Sequence, residues 1–309
     1  MALLRESPAR NSGAPRVPKE VLRSVRRIEI GTRRPIDETM AGAYHSSFKG
    51  RGMEFAEVRE YVPGDDVRTI DWNVTARTGE PFIKRYSEER ELTILFLVDV
   101  SGSQGYGSVR RSKMELAAEV TALLALTAIR NQDKIGLVLF SDRIVKYIPP
   151  RKGRDSVMRL VREVLAAEDG AEGATDVSAA LRFLSGVQKR RAVVFLVSDF
   201  MDDASRYEKL LRAAARRHDL VCVPVADPAE SSLPDVGLVE LEDPETGALE
   251  LVDTSSASVR RAFAEKAAAE RGELSRFFLK TGIDTLPIDT SRAYVADVRA
   301  LFRRRALRR

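Results

Sequence analysis

The chain has one cysteine and two histidines in 309 residues. Cys222 has no partner for an internal disulfide, and its place in the apolar run 220–225 reads as a buried strand thiol. His218 falls at a helix end, where a structural role or solvent exposure is expected rather than catalysis, and His45 is assigned no role. There is no Gly-x-Ser-x-Gly elbow, which argues against serine hydrolysis. No Gly-x-x-x-x-Gly-Lys-Ser/Thr loop is present either, so nothing in the chain hydrolyses nucleotide by itself. No apolar run approaches the roughly 18 residues of a membrane span. Residues 1–18 are polar and proline-dotted, without the apolar core of a signal peptide, and the expected location is the cytoplasm. The net charge of +5 is modest. Its excess sits in residues 23–34 and in the tail 303–309, and no nucleic-acid motif or aromatic stacking stripe accompanies it. The tail reads as a solvated helix end, where cations suit the negative pole of the helix.

What the chain does have is a stretch around which the rest is organised, residues 92–103. Residues 94–98 form a continuous apolar run of strand length, suited to burial on both faces of a parallel sheet. The run stops at Asp99 and continues as Asp-x-Ser-x-Ser through Ser101 and Ser103. A carboxylate and two hydroxyls thus crowd the carboxyl end of a buried strand, where open α/β sheets place their ligands. Short oxygen side chains without His or Cys suit a hard cation such as Mg²⁺.

From residue 92 onward the pattern is strand–helix–strand. Apolar strands are expected at 134–140, 192–197, 220–225 and 283–288, with a hairpin partner at 143–148. Helices are expected at 111–130, 155–166, 175–187, 205–217, 256–281 and 291–303. Residues 237–242 and 249–253 flank Asp-Pro-Glu-Thr-Gly and read as a hairpin insertion. Helices of this length between strands predict a doubly wound, mainly parallel α/β sheet. Ahead of it, residues 1–18 read as disordered. Residues 20–29 have helical spacing, and residues 40–91 are dense in charge and turns. The domain division is then 1–18, an N-terminal helix with a β-rich arm or subdomain over 19–91, and the α/β domain over 92–309. In the arm, Glu57, Arg59, Glu60, Asp65, Asp66, Arg68, Asp71 and Arg77 are expected to form a salt-bridge network.

Three loops can open at the carboxyl edge of such a sheet: Asp99 to Ser103, the Gly173-Ala174-Thr175-Asp176 lead-in to a helix, and Ser198-Asp199 after a buried strand. Together they resemble the von Willebrand factor A-type domain and its metal-ion-dependent adhesion site (MIDAS). That resemblance implies that Asp99, Ser101, Ser103, Thr175 and Asp199 hold Mg²⁺, or Mn²⁺ or Ca²⁺ in its place. The hydroxyls would bind directly and the aspartates directly or through water, with one position open for a partner's Asp or Glu. Asp176 reads instead as a helix N-terminal residue.

A longer stretch extends the likeness. Residues 50–72, Gly-Arg-Gly-Met-Glu-Phe-Ala-Glu-Val-Arg-Glu-Tyr-Val-Pro-Gly-Asp-Asp-Val-Arg-Thr-Ile-Asp-Trp, continue through Ala-Arg-Thr-Gly at 76–79 and Glu-Glu-Arg-Glu at 88–91. The sequence Gly-Ile-Asp-Thr-Leu-Pro-Ile-Asp-Thr follows at 282–290. These resemble the bacterial family of unknown function DUF58. The resemblance implies a von Willebrand A-like, non-enzymatic adaptor or chaperone that works with a MoxR-type AAA+ ATPase or a client offering a carboxylate. One alternative is a metal-free interaction scaffold. Another is a haloacid-dehalogenase-like phosphatase using Asp99 with Asp199, Asp202 and Asp203. Against that enzyme, Ser101 stands where a second carboxylate is needed as acid and base.

Overall fold

The computed structural model describes residues 38–48, 53–88, 91–105, 107–108, 111–167, 173–242 and 249–308, together with Arg23 and Arg27, both helical. The expectation of disorder over 1–18, and most of the helix expected over 20–29, lie outside the described residues.

Residues 40–47, expected to belong to the β-rich arm or subdomain, instead lie in helix α1 (Glu38–Ser47). Met40, Tyr44 and Phe48 recur every fourth residue, which lines up one apolar stripe. All three are buried in the main core. The Tyr44 hydroxyl donates to Asp133 Oδ2 at 2.8 Å. Strands β1 (Met53–Glu60) and β2 (Phe82–Glu88) pair antiparallel with a bulge between Phe55 and Glu57. The short helix α2 (Trp72–Thr78) lies between them in sequence. Here the expected charge network takes another form. Arg59 pairs with Asp65 at 2.7 Å and Lys84 with Asp71 at 3.3 Å. Asp66 and Asp71 spend their side chains capping short helical turns, where backbone N–H groups need acceptors.

The main sheet contains β3 (Thr93–Asp99), β4 (Lys134–Phe140), β5 (Ile144–Arg151), β6 (Val193–Ser198), β7 (Asp219–Ala226), β10 (Asp284–Thr285) and β11 (Ile288–Asp289). A separate two-stranded sheet joins β8 (Leu238–Glu242) to β9 (Leu249–Asp253). In the main sheet the order is β10-β7-β6-β3-β4-β5, with β11 also on β7. All pairings are parallel except β4 with β5. This is the doubly wound, mainly parallel architecture predicted from the alternation of elements. The last strand differs from expectation: residues 283–288 do not form one strand. They divide into β10 and β11 around Leu286 and Pro287, because proline lacks the N–H a ladder requires.

Strand β3 carries its side chains alternately to two cores. Ile94, Phe96 and Val98 face one, and Leu95 and Leu97 the other. The first core is covered by α1, α3 (Lys113–Arg130), α4 (Arg154–Ala166) and α8 (Val295–Leu307). The second is covered by α5 (Val177–Val187), α6 (Ala204–Arg217) and the C-terminal end of α7 (Ala257–Thr281). Among the described residues no helix is long and apolar enough to cross a membrane.

The basic tail is not merely a solvated helix end. Arg305 of α8 is buried, reaches Asp219 at 2.5 Å and Asp284 at 2.6 Å, and lies 4.4 Å over the Phe48 ring. It clamps α1 and α8 to the sheet, while Arg303 and Arg304 remain exposed. Cys222 is buried, as expected of a strand thiol, and His218 is buried rather than solvent-exposed.

Candidate metal site

The strand order reverses between β3 and β6, and the connections from these neighbours leave to opposite sides. That divergence opens a crevice at their carboxyl ends, the usual ligand position in an open α/β sheet. Asp99 closes β3 and Ser198 closes β6, so the two strands deliver a carboxylate and a hydroxyl to the same place.

Asp99 is buried and is held by its own loop and by the end of β6. Its Oδ1 accepts the Ser101 amide at 3.0 Å, and its Oδ2 accepts the Ser198 hydroxyl at 2.6 Å. Burial and the neighbouring Asp199 carboxylate push its pKa up to about 7. The turn after Asp99 carries Ser101 and Ser103, whose hydroxyl oxygens lie 3.2 Å apart. Thr175 arrives from the loop before α5 and donates to Ser101 Oγ at 2.8 Å. Two backbone bonds hold that loop: the Gly102 amide donates to the Gly173 carbonyl at 3.3 Å, and the Asp176 amide to the Ser141 carbonyl at 2.9 Å. Gly173 has φ +93°, a conformation that other residues adopt only with strain. Asp176 caps α5 by accepting the Ala179 amide, the helix role expected of it.

Asp199 completes the group. Ser103 Oγ donates to its Oδ2 at 2.8 Å, and the Met201 amide to its Oδ1 at 3.2 Å. The next residue, Phe200, has φ +58°, the left-handed region that a bulky side chain enters at a cost. Phe200 is held there by burial against Phe278, with ring centroids 5.3 Å apart, and by its amide, which donates to Ser198 Oγ at 3.0 Å. Strain at this position is sustained by the surrounding packing and fixes the direction of the Asp199 loop.

The structure therefore brings all five sequence-predicted residues to one crevice. The hydroxyls form a chain from Thr175 through Ser101 to Ser103 and on to Asp199, and Asp99 anchors the loop behind them. Three hydroxyls and two carboxylates with no His or Cys among them make the all-oxygen donor set that suits a small hard cation. Among the described residues no group of three or more His, Cys, Asp or Glu is arranged to hold a metal, so a cation here depends on the hydroxyls.

Sequence reasoning missed two members. The sequence pattern presents Ser198 only as the neighbour of Asp199, though a hydroxyl ending a buried strand beside a carboxylate is a legible signal. Lys113 carries no such signal. It opens α3, is 1 % exposed, and its Nζ lies 2.8 Å from Asp199 Oδ2. The same ammonium pairs with Glu230. Burial works against its charge, but Asp199 and Glu230 outweigh that, and its pKa stands above the ordinary lysine value. Glu230 sits in a short turn, residues 228–230, capped by Asp227. Asp227 in turn accepts the Ser108 amide at 3.0 Å and the Thr290 hydroxyl at 2.6 Å. Two acids of the phosphatase reading, Asp202 and Asp203, serve elsewhere. Asp203 caps α6, and Asp202 takes the Val177 amide and pairs with Arg206 at 3.0 Å.

Comparison with known proteins places this architecture among relatives. A family profile described as "Protein of unknown function DUF58" matches residues 57–273. An uncharacterized protein of Mycobacterium tuberculosis, Rv1480, is 31% identical over 278 residues, covering 89% of this chain and 86% of its own. A shorter uncharacterized protein of Mycobacterium avium is 32% identical over 152 residues, covering 49% of this chain and 89% of its own. Among solved structures, the conserved hypothetical protein BatB from Bacteroides thetaiotaomicron is similar with TM-score 0.47 and 15% identity, over 70% of this chain and 99% of that one. The SpRpn10 VWA domain is similar with TM-score 0.36 and 10% identity, over 67% of this chain and 93% of that one.

Proposed function

We propose that this chain, which belongs to the family described as Protein of unknown function DUF58, is a non-catalytic protein-binding module that recognises a partner carboxylate through a divalent cation. The observation that carries the reading is the convergence of Ser101, Ser103 and Thr175 with Asp199 at the point where the strand order reverses. Ser101, Ser103 and Thr175 would hold the ion through their hydroxyls, with Asp99 and Asp199 supplying charge directly or through water. A cation with so few charged ligands stays electrophilic, so a coordination position left to the partner attracts an Asp or Glu side chain.

The protein's own residues do the preparatory work. Asp99 fixes the turn that presents both serines, the Gly173 loop fixes Thr175, and the strained Phe200 fixes Asp199. The proposed setting is the cytoplasm, with Mg²⁺ as the ion and a MoxR-type AAA+ ATPase or its client as the partner. A second reading, a scaffold that needs no metal, is favoured by one observation: Lys113 already neutralises Asp199.

The test is binding of the purified chain to the MoxR-type ATPase of the same genome, with Mg²⁺ and with EDTA, beside the Thr175→Ala variant. Binding that requires Mg²⁺ and falls at least tenfold in the variant is expected. Equal binding with EDTA and by the variant would favour the metal-free scaffold.

A further inference from the structure

Lys113 occupies a position that helix physics does not explain. It is the first residue of α3, after the Ser112 cap, where the positive pole of the helix disfavours a cation. It is also buried, which disfavours any charge. Both costs are met by two carboxylates, Asp199 on the hydroxyl chain and Glu230 on the turn after β7. Ser103 Oγ and Lys113 Nζ share the same Asp199 oxygen, each at 2.8 Å.

We propose that Lys113 is a built-in competitor of the divalent cation: it weakens metal binding and keeps the loaded site receptive to a partner carboxylate. This rests on the metal-dependent reading above. Charge counting gives the direction. Lys113 cancels one of the two negative charges that Asp199 and Glu230 bring to the site. Without Lys113 the empty site is more negative and takes the ion more tightly, but the loaded site is also more negative and attracts an incoming carboxylate less. Lys113 thus exchanges affinity for the metal for affinity toward the partner. Glu230 sets how far the ammonium is drawn from Asp199. It is fixed through Asp227 to Ser108, in the loop that follows the serines, and to Thr290 after β11. Movement of that turn would therefore change the metal site without touching a ligand.

The test uses Mn²⁺ alone, with free Mn²⁺ measured by electron paramagnetic resonance, on the full chain and on Lys113→Met, Lys113→Gln, Glu230→Gln and Ser101→Ala/Ser103→Ala. Glu230→Gln keeps an acceptor for the Asp227 amide and guards against a lysine variant that does not fold. Removing the Lys113 charge is expected to tighten Mn²⁺ binding at least tenfold, and Glu230→Gln to weaken it severalfold. Binding by Lys113→Met but not by the natural chain would contradict the metal reading for the natural chain and overturn the proposal with it. If the natural chain binds Mn²⁺ through its serines but folded Lys113 variants bind no tighter, the competitor role is overturned and the metal reading stands. If neither the natural chain nor the lysine variants bind, the metal reading fails and the competitor role falls with it.

Discussion

The Ser198 hydroxyl donates to Asp99 Oδ2 at 2.6 Å, tying the ends of β6 and β3 together where the strand order reverses. The same oxygen of Ser198 accepts the Phe200 amide. Ser198→Ala therefore removes a donor from a buried carboxylate and leaves a buried amide without its acceptor. A loss of about 2 kcal/mol is expected, in the range for hydrogen bonds to charged groups, measured by urea unfolding at pH 8. A change below about 0.5 kcal/mol would show that this bond does not hold the crevice.

Phe200 offers a test of backbone strain. Its φ of +58° favours glycine, while its burial favours the ring. Both Phe200→Ala and Phe200→Gly lose the packing, worth about 3–5 kcal/mol. Only Gly recovers the left-handed penalty of about 1 kcal/mol. Phe200→Gly is thus expected to be more stable than Phe200→Ala, the reverse of the usual order, in parallel denaturation curves.

Arg305 separates the tail into two kinds of arginine. Arg305→Ala removes the buried guanidinium from Asp219 and from Asp284, which keeps Arg308 at 2.8 Å, and should cost about 3 kcal/mol, the low end for breaking buried ion pairs. Arg304→Ala, on the exposed side, should change stability by less than about 0.5 kcal/mol. Thermal melts of the two variants check this directly.

His218 gives the stability a pH dependence. Burial, with Arg217 and Arg191 nearby, lowers its pKa to about 4. The unfolded chain takes up the proton below about pH 6.5 while the folded chain resists it until about 4, so His218 contributes stability that is lost as pH falls through that window. Between pH 7 and pH 5 the loss is about 2 kcal/mol, from 1.4 kcal/mol per pH unit. His218→Leu should show a correspondingly flatter acid limb in urea titrations at the two pH values.

The parts of the fold written in short-range pattern were legible. The apolar run of β3 and the regular alternation with helices gave the parallel sheet, and Asp-x-Ser-x-Ser with Thr175 and Asp199 gave the crevice residues. The parts set by tertiary contact were not. Lys113 reads as an ordinary surface lysine in a first helical turn, and only folding brings it to a carboxylate 86 positions away. The left-handed backbone at Phe200 leaves no mark on residue choice, since phenylalanine is not a turn residue. Helix α1 was legible in principle from Met40, Tyr44 and Phe48, but dense neighbouring charge obscured the stripe. The arm's charges looked like a network because sequence does not distinguish a carboxylate that meets a cation from one that caps a helix.

The central claim is that the hydroxyl chain holds a divalent cation. Calorimetric titration of the purified chain with Mg²⁺ and with Mn²⁺, beside the Ser101→Ala/Ser103→Ala variant, tests it most directly. The account predicts saturable binding of one ion that disappears in the variant while its thermal melt stays cooperative. Absence of binding by the natural chain, or equal binding by the folded variant, would contradict it.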